Sequence, residues 1–81
     1  MKHTKEQIDL RNMNLPDQIS IVNEGMNKAL KGIISFLTTD SSMLGTYALP
    51  AALKSKVKCR ITPCDTDDEW LITISPSPEL I

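Results

Sequence analysis

The sequence predicts an α+β fold. One long amphipathic helix, with short flanking helices, packs on a C-terminal antiparallel β-hairpin in the order α-α-α-β-β. Two observations predict it. Leu15, Ile19, Val22, Met26, Ala29, Ile33 and Phe36 recur at alternating steps of four and three, which marks one face of an α-helix. Further on the period becomes two: Val57, Cys59 and Ile61 alternate with Lys58, Arg60 and Thr62, and Trp70, Ile72 and Ile74 alternate with Leu71, Thr73 and Ser75.

Residues 1–4 are expected to fray. Thr4 followed by Gln7 reads as a capping box, so a short helix is predicted from about Lys5 to Arg11. Asn12-Met13-Asn14 breaks it. Asn14 suits an N-cap, Pro16 the first turn and Asp17 the positive end of the helix dipole. The long helix is predicted over Leu15–Leu37, with Ser20, Asn23, Glu24, Asn27, Lys28, Lys31 and Ser35 on its polar back. Gly25 and Gly32 lie on one line beside the apolar seam, where another backbone would approach.

Thr38 to Thr46 reads as a hydroxyl-rich loop at the C-terminus of that helix. The negative dipole end disfavours an anion there. Leu49 to about Ser55 reads as a short helix with Pro50 at its first position. The hairpin strands follow, joined by an acidic turn over residues 63–69, and Pro76 and Pro78 end the second strand. Residues 76–81 are expected to form an extended tail. The whole of 1–81 is then one small domain, of a size at which a single core gives only a few kcal/mol. One Phe, one Tyr and one Trp make that core thin, and self-association would supplement it.

Composition narrows the function. The formal net charge is −1, which gives no global basic excess for nucleic acid. No apolar run approaches the width of a bilayer. The opening MKHTKEQID has no apolar h-region, so neither a signal peptide nor a membrane partner is expected, and two cysteines suit a reducing cytoplasm.

Catalysis has little to work with. His3 is the sole histidine, so no nucleophile has a second imidazole to activate it. Asp65, Asp67, Asp68 and Glu69 carry the oxygens of a Ca²⁺ loop but lack the glycine and distal glutamate of an EF-hand. Cys59 and Cys64 have no second ligand pair for zinc. Neither a catalytic nor a metal site is assigned, and no cofactor is expected.

One constellation remains. Lys56, Lys58 and Arg60 are predicted on the outer face of the hairpin over roughly 13 Å, with Thr73 and Ser75 facing the same way on the partner strand. Cations among hydroxyls hold phosphates; the plainer account is a solvated face whose lysines guard an edge strand. No aromatic is expected on that face, so base stacking is not. The stripe of Ile19, Val22, Met26, Ile33 and Phe36 is expected to form the core and a homo-oligomer interface.

The function expected from these readings is a non-enzymatic cytoplasmic binding protein. It acts by occupying a partner, inhibiting a protein or sequestering a small anionic, nucleotide-like ligand, as a phage or plasmid accessory protein does. A nucleic-acid-binding regulator using the cationic face and a structural or assembly subunit are the alternatives.

Overall fold

The computed structural model describes residues 4–65 and 68–76. Six elements follow one another: β1 (Thr4–Asp9), α1 (Leu15–Ala29), β2 (Ile33–Thr39), α2 (Ser42–Ser55), β3 (Val57–Pro63) and β4 (Trp70–Pro76). The strands form one sheet in the order β1-β2-β4-β3. β1 pairs parallel with β2, while β4 runs antiparallel to both β2 and β3. The fold is α+β, with two helices and a mixed four-stranded sheet in place of three helices and a hairpin.

The long helix is the main correction. Only Leu15–Ala29 is helical. Asn14 Oδ1 accepts from the Asp17 N–H at 3.1 Å and starts it. Gly32 ends the connection to β2 at φ 87°, a left-handed conformation that glycine adopts without Cβ strain. Beyond it, Ile33-Ile34-Ser35-Phe36-Leu37-Thr38-Thr39 is rich in β-branched and aromatic residues and forms a strand. Ser35, Leu37 and Thr39 are buried, while Ile34, Phe36 and Thr38 are half-buried on the other side. Ile33 and Phe36 therefore extend a helical spacing by coincidence and do not belong to a helical stripe.

Two shorter predictions change for related reasons. The expected first helix is β1, an edge strand whose mostly polar sequence is extended because β2 offers it a parallel ladder. The expected third helix is the second half of α2, and Pro50 lies inside that helix instead of opening it. Proline brings no N–H to the i−4 carbonyl, here that of Thr46. The expected frayed terminus and extended tail fall mostly on residues outside those described, though Thr4 belongs to β1 and Pro76 to β4.

Both helices cover the same face. α1 packs on β2 and β4, α2 packs on β3 and β4, and the helices touch each other. This follows from topology: β1-α1-β2 and β2-α2-β3 each join parallel strands and step the same way across the sheet, so two right-handed crossovers land on one side. Val22, Met26 and Ala29 of α1, Leu44, Ala48 and Ala52 of α2, and Leu37, Ile72 and Ile74 of the sheet form the core between them. Gly25 is buried here: a Cβ on it would lie 3.2 Å from Ile74 Cδ1, so α1 sits close against the sheet. Gln18 joins the layers by polar bonds, its Nε2 donating to the Met13 carbonyl at 2.9 Å while its Oε1 accepts from Thr39 Oγ1. Lys28 of α1 pairs with Glu6 of β1 at 2.7 Å. No helix among the described residues is long and apolar enough to cross a membrane.

Candidate functional site

No helix among the described residues covers the other face of the sheet. The ladders fix its composition, because side chains alternate between faces along each strand. The central row reads Gln7, Phe36, Thr73 and Arg60 across β1, β2, β4 and β3. On one side Asp9, Thr38, Leu71 and Thr62 form a second row. On the other, Lys5 neighbours Ile34 and Lys58 neighbours Ser75.

Four of the five predicted ligand residues come together here. Lys58, Arg60, Thr73 and Ser75 line a shallow depression of about 350 Å³ with Thr62 and Phe36. Lys56 stands apart: it caps α2 in the left-handed conformation, φ 61°, and precedes the first paired residue of β3. The row of cations therefore has two members on β3, and Lys5 on the far edge strand gives the face a third.

Phe36 is the residue that sequence reasoning missed. Read as a helical core position, it lies instead on the open face, one strand from Thr73 and two from Arg60. At about 4.8 Å per strand, its Cα stands roughly 10 Å from that of Arg60. It also borders a second depression, of about 340 Å³, lined by Gln7, Asp9, Arg11, Thr38 and Leu71. The signal was present as a period of two over Ile34, Phe36 and Thr38, but it competed with the 3-4 spacing inherited from α1.

Asp9 on this face and Glu69 just before β4 both pair with Arg11. Arg11 Nη2 meets Asp9 Oδ2 at 2.7 Å, and Arg11 Nη1 meets Glu69 Oε2 at 3.1 Å. The hydrogen bonds from the Arg11 side chain and backbone hold the Asp9 carboxyl at about 2, and the Arg11 guanidinium is pushed up in turn, first by Asp9 and then by Glu69. Glu69 thus commits its carboxylate to Arg11. Lys58 and Arg60 form no ion pair among the described residues. Asp68 forms no ion pair with them either, and Asp67 and Glu79 lie outside those residues.

A third concavity lies on the helix side. About 310 Å³ is enclosed by Thr39, Ser41, Ser42, Thr46, Ile61 and Trp70, with other residues of α2 and β4. The hydroxyl-rich segment before it precedes a helix N-terminus, not a C-terminus, because β2 ends at Thr39 and α2 begins at Ser42. The dipole there favours an anion. However, no cation among the described residues lines it, and Thr39 Oγ1 is already bonded to Gln18 and to the Ser41 N–H. The sheet face has the stronger chemistry for a phosphate.

The remaining predicted residues are structural. Val22 and Met26 are buried in the core, and Ile19 packs against it. Cys59 points to the helix side, where burial pushes its thiol pKa up. Among the described residues no three of His, Cys, Asp and Glu converge as a metal would require. Compared with protein-family models, with curated proteins and with solved structures, the chain matches none of them.

Proposed function

We propose that this is a non-enzymatic cytoplasmic protein that binds single-stranded nucleic acid on its open sheet face. Arg60 and Lys58 take backbone phosphates, Phe36 stacks against a base, and Thr62, Thr73 and Ser75 supply hydrogen bonds. The observation that carries the reading is the juxtaposition, across β2, β4 and β3, of an aromatic ring with two cations that form no ion pair among the described residues. Stacking on an aromatic is worth about 1–3 kcal/mol per base, and cations that track the backbone supply the rest. A flat face with depressions on both sides of Phe36 suits a strand of several nucleotides. A free nucleotide would need a deeper concavity, since small-molecule sites bury most of their ligand.

The test is fluorescence anisotropy with labelled oligonucleotides of about ten bases, dT and rU, at low salt. With Lys5, Lys58 and Arg60 engaged, log K should fall against log salt with a slope of about −2. Lys58→Ala/Arg60→Ala should flatten that slope to below about −1. Phe36→Leu should weaken binding by about tenfold and leave the slope unchanged. No binding by wild type at low salt, or binding indifferent to Lys58→Ala/Arg60→Ala, would sink the proposal. Equal affinity for a mononucleotide would return the reading to a small anionic ligand.

A further inference from the structure

α2 leaves a long apolar face uncovered on the side away from the sheet. Leu53 is 81% exposed and Met43 66%, the two most exposed large apolar side chains among the described residues. Met43, Thr46, Pro50 and Leu53 follow one another at helical spacing along the outer surface, and all four are exposed. Beside them runs a shallow groove of about 810 Å³, whose lining includes Tyr47, Pro50, Ala51 and Leu53. From Ser41 to Leu53 there is no charged residue. A helix apolar around most of its circumference is ordinarily covered.

The charges at its two ends say by what. Asp40 precedes α2, while Lys54 and Lys56 close it. In an antiparallel pair of identical helices, residues whose numbers share one sum face each other. A sum of 96 places Met43 against Leu53 and Thr46 against Pro50, each pairing made twice, and brings the Asp40 end of one α2 beside the end of the other that carries Lys54 and Lys56. One two-fold axis therefore covers both of the most exposed apolar side chains and sets opposite charges together at each end. Such self-complementarity is what an isologous interface requires. Asp40, Lys54 and Lys56 form no ion pair among the described residues, and Asp40 accepts only a long bond, 3.4 Å, from the Asn12 N–H at Oδ2. The two helix dipoles also oppose each other favourably.

We infer that α2 is the homodimer interface, two copies packing back to back through antiparallel α2 helices. The interface is not the stripe of Ile19, Val22, Met26, Ile33 and Phe36, most of which the chain covers itself. The open sheet faces then point outward on opposite sides of the dimer, away from the contact. Loss of the dimer leaves the nucleic-acid surface of each copy intact, so this inference and the proposed function fail separately.

Sedimentation velocity at micromolar concentration tests it. Wild type should sediment at twice the 9.0 kDa chain mass. Leu53→Glu should sediment as a monomer with unchanged far-ultraviolet circular dichroism, since a side chain this exposed contributes little to the chain's own fold. Met43→Glu should do the same. The register is read by disulfide trapping in a Cys59→Ser/Cys64→Ser background: Met43→Cys mixed with Leu53→Cys should cross-link as a heterodimer, and neither should cross-link alone. A monomeric wild type would overturn the inference. So would a dimer that survives both glutamate variants, or Met43→Cys cross-linking to itself.

Discussion

Ser35→Ala should make the protein more stable. Ser35 is 1% exposed, and its Oγ is the buried side-chain oxygen without a hydrogen-bond partner among the described residues. A buried hydroxyl left unpaired costs about 1–3 kcal/mol, because it forfeits its water and gains nothing in exchange. Removing the oxygen ends that cost and leaves a void smaller than a methylene group, at a loss of less than about 1 kcal/mol. Alanine and serine are both modest strand formers, so the ladder is little changed. The net is a gain of about 1 kcal/mol, or a rise in Tm of about 4–8 °C for a domain of this size. Urea unfolding followed by Trp70 fluorescence would measure it, with an unchanged m-value showing that the unfolded state is not the cause. The tight contact for a Cβ on Gly25 is Ile74 Cδ1 at 3.2 Å, so Gly25→Ala should be better tolerated in an Ile74→Val background than alone. A destabilisation of about 0.5 kcal/mol or more by Ser35→Ala would refute the reasoning, since it would mean that the hydroxyl is satisfied.

Gln18→Ala should cost about 2–4 kcal/mol in the same assay, because it takes the acceptor from the Thr39 O–H and the donor from the Met13 carbonyl together and leaves a cavity, although Thr39 Oγ1 still accepts from the Ser41 N–H. Trp70→Ala should cost about 2 kcal/mol, less than a fully buried aromatic, since Trp70 is only half-buried beside α2. Asp9 should titrate by carboxyl-carbon NMR with a midpoint of about 2, and Arg11→Gln should return it to the ordinary carboxylate range. The sign follows from a folded-state value below the unfolded one: the Asp9–Arg11 pair favours the folded state above about pH 4 and loses that contribution as pH falls toward 2. Cys59 should react with a thiol reagent at pH 8 more slowly folded than in urea, because its burial disfavours the thiolate.

Some elements were legible because local and tertiary signals agree. β3 and β4 alternate cleanly, with β-branched residues on the covered face, and their pairing sets Cys59 beside Ile74 and Ile61 beside Ile72. The start of α1 was legible from the Asn14 cap. The rest depended on partners distant in sequence. β1 is polar and carries a helical capping signal, and only the ladder offered by β2 makes it a strand. β2 was hidden because Met26, Ala29, Ile33 and Phe36 keep a 3-4 spacing across a chain reversal at Gly32. α2 was cut short because Pro50 fits the first turn of a helix as well as it fits this interior position. The candidate site divides the same way. Lys58, Arg60, Thr73 and Ser75 share a face through adjacent strands, which alternation reveals. Phe36 reaches them only through β4, which joins β2 to β3 and which no local pattern announces.

That same arrangement governs the order in which the fold can appear as the chain is made. β4, the last strand among the described residues, is hydrogen-bonded on both edges. A nascent chain that has reached Pro63 holds β1 and β2 as a parallel pair under α1, and β3 after α2, but nothing joins them. The gap between β2 and β3 is one strand wide, and only residues 70–76 can fill it. Until they leave the ribosome, the inward-facing edges of β2 and β3 stay open to any other extended chain. A chain cut before Trp70 therefore carries the β1–β2 pair and the lone strand β3 with their inner edges unblocked, while the seven residues of β4 close both at once.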